Sequence, residues 1–221
     1  MKEFSWSFSG LNAFETCAKQ YYELRIAKSV KEQENPKMLE GNRVHQALRA
    51  FLASNIPLPI TMERYQKWAD AVKAGPGTLL VEQKYALTRQ FTSTSYFGDD
   101  VWFRGIGDAV RLDGPVGLVV DWKTGIVKPD SVQLFLMAQC LFSFYPNLQK
   151  VRSEFIWLQH NTSTPEVYDR RDLGNHWLSL LPRVKALENA VATVNFPPHP
   201  SGLCKKHCPV ASCAYWRKGN R

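Results

Sequence analysis

The sequence predicts one domain of the α/β or α+β class. Three observations carry this. The first third shows helical periodicity. The middle breaks into strand-length runs closed by turn residues. One helix-length segment, Ser131 to Tyr145, is apolar on nearly every side and must be buried within the strand region. The chain has 221 residues, 44% hydrophobic and 22% charged, so it can build a core without staples and is not a disordered segment. The best membrane-span candidate, Val132 to Phe144, is too short and carries Gln133 and Gln139. The opening MKEFSWSFSG puts Glu3 and Ser5 where an export signal needs apolar residues, so a cytoplasmic protein is expected.

In chain order, Ser9 can cap a first helix through Leu11, Phe14, Tyr21, Tyr22 and Leu24. A charged loop from Lys31 to Lys37 follows. Met38 to Ala53 fits a second helix, and Met62 to Lys73 a third, stopped by Gly75-Pro76-Gly77. Thr78 to Thr88, Val101 to Leu112 and Val116 to Lys123 read as strands. The last two join at Asp113-Gly114-Pro115 and so pair antiparallel. Beyond the buried helix, Val151 to His160 and Glu166 to Arg170 read as strands. Leu178 to Val194 reads as a helix that Pro182 either kinks or starts. A Pro-rich connector, Phe196 to Pro200, leads to a cysteine-rich tail. The expected organisation is a helical part (1–77), a core (78–195) and the tail (196–221) of one domain.

The formal net charge is +8, which favours a polyanionic partner. From Asn189 onward there is no Asp or Glu, while Lys205, Lys206, Arg217, Lys218 and Arg221 are present. Charge alone fits a solvated basic tail equally well. Lys19, Tyr21, Tyr22, Arg25 and Trp6 form one basic-aromatic group, and Tyr215, Trp216 and Arg217 another. Such mixtures suit single-stranded nucleic acid, or simply packing.

The most informative stretch is Gly105 to Gly125, GIGDAVRLDGPVGLVVDWKTG. On its second strand Asp121 and Lys123 share a face and Trp122 points the other way. The hairpin can bring Asp108 beside Asp121. Two close carboxylates repel unless a cation lies between them, and a hard divalent ion prefers such ligands. The chemistry that fits is metal-assisted phosphodiester hydrolysis, with Lys123 placing the water or steadying developing charge. An Asp–Lys ion pair on a strand edge, with Asp108 solvated, accounts for the triplet as well.

Four features occur in one order: G-x-x-x-H at Gly41 to His45, Glu82, G-x-x-D at Gly105 to Asp108, and D-W-K-T-G at Asp121 to Gly125. With the opening SFSGLNAFETCAKQYYE, they make the chain resemble the PD-(D/E)xK nuclease superfamily, and within it the RecB-like branch. That branch includes AddB and the iron–sulfur nuclease of CRISPR adaptation. The resemblance spans Ser7 to Trp216. It implies a restriction-endonuclease-like core, with a mixed central sheet flanked by helices. It also implies a Mg²⁺- or Mn²⁺-dependent deoxyribonuclease, with His45, Asp108, Asp121 and the Trp122 carbonyl as metal ligands. Lys123 is then the catalytic lysine, Glu82 an acidic position ahead of the hairpin, and Gln133 the helix glutamine that supports the lysine or contacts substrate. The family often has tyrosine four residues after that glutamine; this chain has Met137.

Five cysteines, an odd number, point to metal before disulfide in a reducing compartment. Cys204, Cys208 and Cys213 cluster. Thiolates at such spacings suit iron–sulfur or zinc, and free thiols are a further reading. The resemblance implies a [4Fe–4S] cluster on Cys17, Cys204, Cys208 and Cys213, with zinc, using His207, as the alternative. Here three residues separate the first two tail cysteines, where the family commonly has two. Cys140 reads as a packing residue.

The expected function is therefore a DNA exonuclease acting on ends or single strands. It would serve recombination, repair or CRISPR-like adaptation in a bacterium or phage, with a partner protein of such a pathway and no membrane. Lys19, Tyr22 and Arg25 would touch DNA. The alternatives are an inactive nucleic-acid-binding or assembly module on the same fold, and a zinc-ribbon protein with structural acidic strands.

Overall fold

A computed structural model describes residues 4–32, 35–128 and 131–218. The chain groups into two compact units, one of residues 1–5 and 36–177, the other of 6–35 and 178–221.

The first unit is built on a five-stranded sheet of β1 (Thr78–Leu87), β2 (Phe103–Asp113), β3 (Val116–Lys123), β4 (Lys150–Trp157) and β5 (Thr162–Asp169), in that spatial order. All neighbours are antiparallel except β3 and β4. A parallel pair needs a crossover, and the apolar helix α5 (Val132–Phe144) supplies it, with every residue from Leu134 to Phe142 buried. The mixed sheet flanked by helices is the expected α/β, restriction-endonuclease-like architecture.

The opposite sheet face is covered by α3 (Pro36–Ser54) and α4 (Gln66–Ala74), the latter reached through a 3₁₀ turn, Ile60–Tyr65. Helix α3 buries Val44, Leu48 and Leu52, one residue every helical turn. They pack with Tyr65, Ala69 and Val72 against Ala109, Val120, Trp122 and Ile156. Arg111 closes the end of α4. Its guanidinium donates to the carbonyls of Val72 (2.6 Å), Pro76 (2.7 Å), Gly77 (3.1 Å) and Lys73.

The sheet contains one fault. Leu79, Val81 and Ala109 face α3. Gly105 and Gly107 face the other way: a Cβ at Gly105 would collide with Met137 of α5, and one at Gly107 would meet Val119. Gly107 and Ala109 are two residues apart and would share a face in a regular strand. The face change falls at Asp108, between the pairs Val81↔Ala109 and Gln83↔Gly107. Opposite it Glu82 has φ +54°, a conformation costly for a side chain of this type.

In the second unit, α1 (Phe8–Thr16) is capped by Ser7, whose hydroxyl accepts from Gly10 N–H at 3.2 Å. The cap thus lies two residues before the expected Ser9. Extended Cys17 separates α1 from α2 (Ala18–Tyr21), and a π-turn, Tyr22–Ile26, follows. Ala18, Ala190 and Phe196 form the small core with Phe14, Tyr21 and Tyr22. Helix α6 (Leu173–Thr193) begins in the first unit, earlier than expected, with Pro182 inside it. The missing Pro182 N–H deprives the Leu178 carbonyl of its donor, and Leu178 is exposed, so water can serve it. A short helix, α7 (Leu203–Lys206), carries the first tail cysteine. No helix among the described residues is long and apolar enough to cross a membrane.

Candidate active site

The hairpin of β2 and β3 sets the first two acids opposite each other. Its regular pairing ends at Ala109↔Val120, one step short of Asp108 and Asp121. There Asp108 replaces a backbone acceptor: its Oδ2 takes the Trp122 N–H at 2.9 Å. The same oxygen lies 3.3 Å from Nδ1 of His45, presented by α3. Asp121 is 7% exposed and turns toward α5. Its Oδ1 accepts from Gln133 Nε2 at 2.5 Å, and its Oδ2 lies 2.7 Å from the Lys123 ammonium with no hydrogen bond reaching it among the described residues. Lys123 in turn donates to Gln133 Oε1 at 2.9 Å and lies 4.8 Å from the Phe155 ring centre. The side-chain alternation expected for D-W-K holds: Trp122 packs in the α3-side core while Asp121 and Lys123 meet Gln133.

The electrostatics follow from this crowding. Burial pushes the Asp121 carboxyl above the usual range, and the Asp108 charge adds to it; Lys123 and His45 oppose. Burial works against a charged His45, but the Asp108 hydrogen bond, then the charges of Asp108 and Asp121, outweigh it. Its pKa is raised. Two carboxylates suit a hard divalent ion, and the buried Asp121 Oδ2, met among the described residues by the Lys123 ammonium alone, is the atom such an ion would approach. As folded, the donors are held by their protein partners: among the described residues no group of three or more His, Cys, Asp or Glu side chains is arranged to hold a metal ion.

Beside His45 lies an open cleft lined by Lys37, Gly41, Asn42, Arg49, Glu82 and Thr124. Gly41, His45 and Arg49 recur every four residues along one side of α3. The glycine of G-x-x-x-H has a steric reason, since a Cβ there would stand 3.1 Å from Thr124 Oγ1 at the end of β3. Glu82 lies 3.8 Å from Arg49. The sequence reading missed Lys37, Arg49 and Thr124. The four-residue spacing from His45 was the signal for Arg49; Thr124 stood inside the D-W-K-T-G run, which was the signal for it.

In the second unit Cys17, Cys204, Cys208 and Cys213 line one hollow, with His199 and Trp216. Backbone N–H groups of His199 and Ser201 point at the sulfurs of Cys17 and Cys204, both at 3.4 Å. Burial raises the Cys208 thiol pKa. A backbone N–H from Val210 opposes this, and the neighbouring Cys204, Cys17 and Cys213 add to the rise. His207 is not among the lining residues; His199 is. Lys19 is paired with Glu23 at 2.6 Å, Tyr22 packs on Phe196 with ring centres 4.8 Å apart, and Arg25 meets Glu32 at 3.3 Å. Tyr215, Trp216 and Arg217 lie at the tail, Arg217 over the Trp216 ring. Cys140 is fully buried.

The chain matches the sequence profile of the PD-(D/E)XK nuclease superfamily over residues 5–213. It belongs to that superfamily. No curated protein matches it. Among the solved structures similar to this PD-(D/E)XK chain are the following two. A crystal structure of SSO0001 is 15% identical with a TM-score of 0.47, and covers 98% of this chain and 88% of its own. A "Putative exonuclease" from Eubacterium rectale is 12% identical with a TM-score of 0.48, covering 86% and 82%.

Proposed function

We propose that this member of the superfamily is a divalent-metal-dependent DNA nuclease, an exonuclease of the RecB-like type acting on ends or single strands in recombination, repair or CRISPR-like adaptation. The observation that carries the reading is the convergence of His45, Asp108, Asp121, Lys123 and Gln133, from two helices and two strands, on one point of the sheet. Asp108, Asp121, His45 and the Trp122 carbonyl would hold Mg²⁺ or Mn²⁺. The ion's contribution there is Lewis-acid chemistry: it neutralises charge on the phosphoryl oxygen and raises the acidity of water.

The protein's own groups do the rest. The Lys123 ammonium, steadied by Gln133, orients the attacking water or balances charge gathering on the phosphate. Gln133 also fixes the Asp121 carboxylate. Asp108, tied to the Trp122 N–H and to His45, keeps β2, β3 and α3 in register. Lys37 and Arg49 give the cleft a positive rim for an incoming phosphate, and Glu82 stands on its inner wall. For the tail the reading is a [4Fe–4S] cluster on Cys17, Cys204, Cys208 and Cys213, with zinc as the alternative; what favours it is that the four line one hollow, although as folded they are not grouped as metal ligands among the described residues. A cluster would give brown protein and broad visible absorbance after anaerobic purification, and zinc would give neither.

The test is cleavage of labelled DNA in Mg²⁺ or Mn²⁺ against an EDTA control, using Asp121→Asn and Lys123→Gln with folding checked by circular dichroism. Loss of at least about a hundredfold in rate is expected for each. Unchanged cleavage by either variant would remove that residue from the chemistry. Binding of DNA by the wild type without any degradation would favour a binding module on the nuclease fold, a reading to which the locked Asp121–Gln133–Lys123 contacts lend weight.

A further inference from the structure

Beyond the face change at Asp108, the α3 side of β1 and β2 is exposed at Lys84 and Ile106. Side-chain alternation puts Lys84, Ile106 and Arg104 on this stretch, with Lys84 paired to Ile106 and Arg104 one step further out, opposite Ala86. Ile106 is 40% exposed. Over the same stretch stands the loop between β1 and β2, carrying Tyr96 and Phe97. Phe97 is 78% exposed, an extreme value for a large apolar ring with no core to join.

The loop is held, not loose. Thr94 N–H donates to Ala86 O at 3.0 Å, Gly98 N–H to Ser95 O at 2.9 Å, and Thr94 Oγ1 to Asp100 Oδ1 at 2.7 Å. The cations are held too. Arg104 donates to Tyr96 O at 2.8 Å and to Ser5 Oγ at 2.7 Å, and its guanidinium lies 5.7 Å from the Tyr96 ring centre. Lys84 sits against both rings, 5.5 Å from Tyr96 and 5.6 Å from Phe97. The loop's own carboxylates are Asp99 and Asp100, and Asp100 is already engaged with Thr94.

We infer that Phe97, Tyr96, Lys84 and Arg104 form a binding subsite for single-stranded nucleic acid, in which a base stacks on Phe97 and the two cations take neighbouring phosphates. A rigidly presented, solvent-facing ring beside anchored cations is the chemistry that grips unpaired bases. A duplex keeps its bases stacked inside and offers the ring nothing. The subsite lies on the same strand as Asp108: Arg104 is four residues away, roughly 13 Å at strand rise. A strand bound there would run along the open face toward the cleft at His45 and Glu82. The inference rests on the nuclease reading for what lies at that end, but not for the binding itself.

The experiment is fluorescence anisotropy of a labelled oligothymidylate in EDTA, with the full chain. Phe97→Ala should weaken binding on the order of tenfold, and Phe97→Trp should keep or tighten it. Lys84→Gln should lower the slope of log affinity against log salt by about 0.7, the share of one single-strand phosphate. Hydrolysis of thymidine 5′-p-nitrophenyl phosphate in Mn²⁺, a substrate too small to reach the loop, should be unchanged by Phe97→Ala. Oligothymidylate binding by Phe97→Ala within about twofold of wild type overturns the subsite, whether or not the wild type cleaves DNA. Weakened binding by that variant, in a wild type that cleaves nothing, leaves the subsite standing while the nuclease reading falls. A fall in small-substrate hydrolysis with Phe97→Ala also overturns it, because the loop would then be acting on the catalytic centre.

Discussion

Replacing Gln133 by Met keeps the bulk of the side chain and removes both ends of the bridge between Asp121 and Lys123. The two lost hydrogen bonds both involve a charged group, at 2.5 Å to Asp121 and 2.9 Å from Lys123. Bonds of this kind contribute about 1.5–3 kcal/mol each. The losses are unequal. The Lys123 side chain is 28% exposed, so water replaces much of what its ammonium loses. The Asp121 carboxylate is 9% exposed and is left with a bare oxygen. The expected cost is about 2–3 kcal/mol, almost all of it at Asp121. In a chain of this length that lowers the melting temperature by about 4–12 °C. Thermal unfolding followed by circular dichroism in EDTA measures it. The double variant with Asp121→Asn supplies the control, since a neutral amide needs the bridge less and the two changes should couple by about 1–2 kcal/mol. A melting temperature for Gln133→Met within about 1 °C of wild type would show that Asp121 does not depend on Gln133.

Three further outcomes are expected. Arg111→Met strips four backbone carbonyls of their donor and should cost about 3 kcal/mol in urea unfolding; an unchanged midpoint would show that water serves the end of α4 equally well. Glu82→Gly removes a side chain from a left-handed conformation and should raise stability by about 1 kcal/mol while slowing DNA cleavage; a loss of stability would mean that Glu82 is not strained. The hydrogen bond from Lys19, then that from Ser29, hold the Glu23 carboxyl below its ordinary 4.5. A depressed carboxylate stabilises the fold above the unfolded value and loses that contribution as pH falls from 4.5 through its lowered one. Acid titration of Glu23→Gln should therefore be flatter than wild type over that window, and superimposable curves would contradict the pairing.

The path from sequence to site was short where local chemistry fixed geometry. Asp113-Gly114-Pro115 set the hairpin, and the two-residue period then put Asp108 opposite Asp121 and turned Lys123 to the same side. The apolar run of α5 announced a buried helix; that it is the crossover between parallel β3 and β4, which brings Gln133 to Lys123, is seen only in the fold. What escaped the sequence was whatever depended on backbone departures or distant contacts. Nothing about Glu82 announces a left-handed residue within a strand, yet that residue and Asp108 mark the face change that opens the outer half of β1 and β2. Ser7 and Ser9 are chemically equal caps, and only the packed chain chooses between them. Pro182 suggests a helix boundary, but Leu178 lies on the exposed side of α6, where water can serve its carbonyl, and the helix runs through. Tyr96 and Phe97 read as ordinary loop residues until Lys84 and Arg104 are seen beside them.

The most direct measurement of the central claim is a cleavage time course on 5′- and 3′-labelled single- and double-stranded DNA with Mn²⁺, comparing wild type, Asp108→Asn and Asp121→Asn. The expected result is progressive shortening of the wild-type substrate from an end, abolished by EDTA and slowed at least about a hundredfold in both variants. Full-length DNA surviving with the wild type, or cleavage at equal rates by all three proteins, would contradict it.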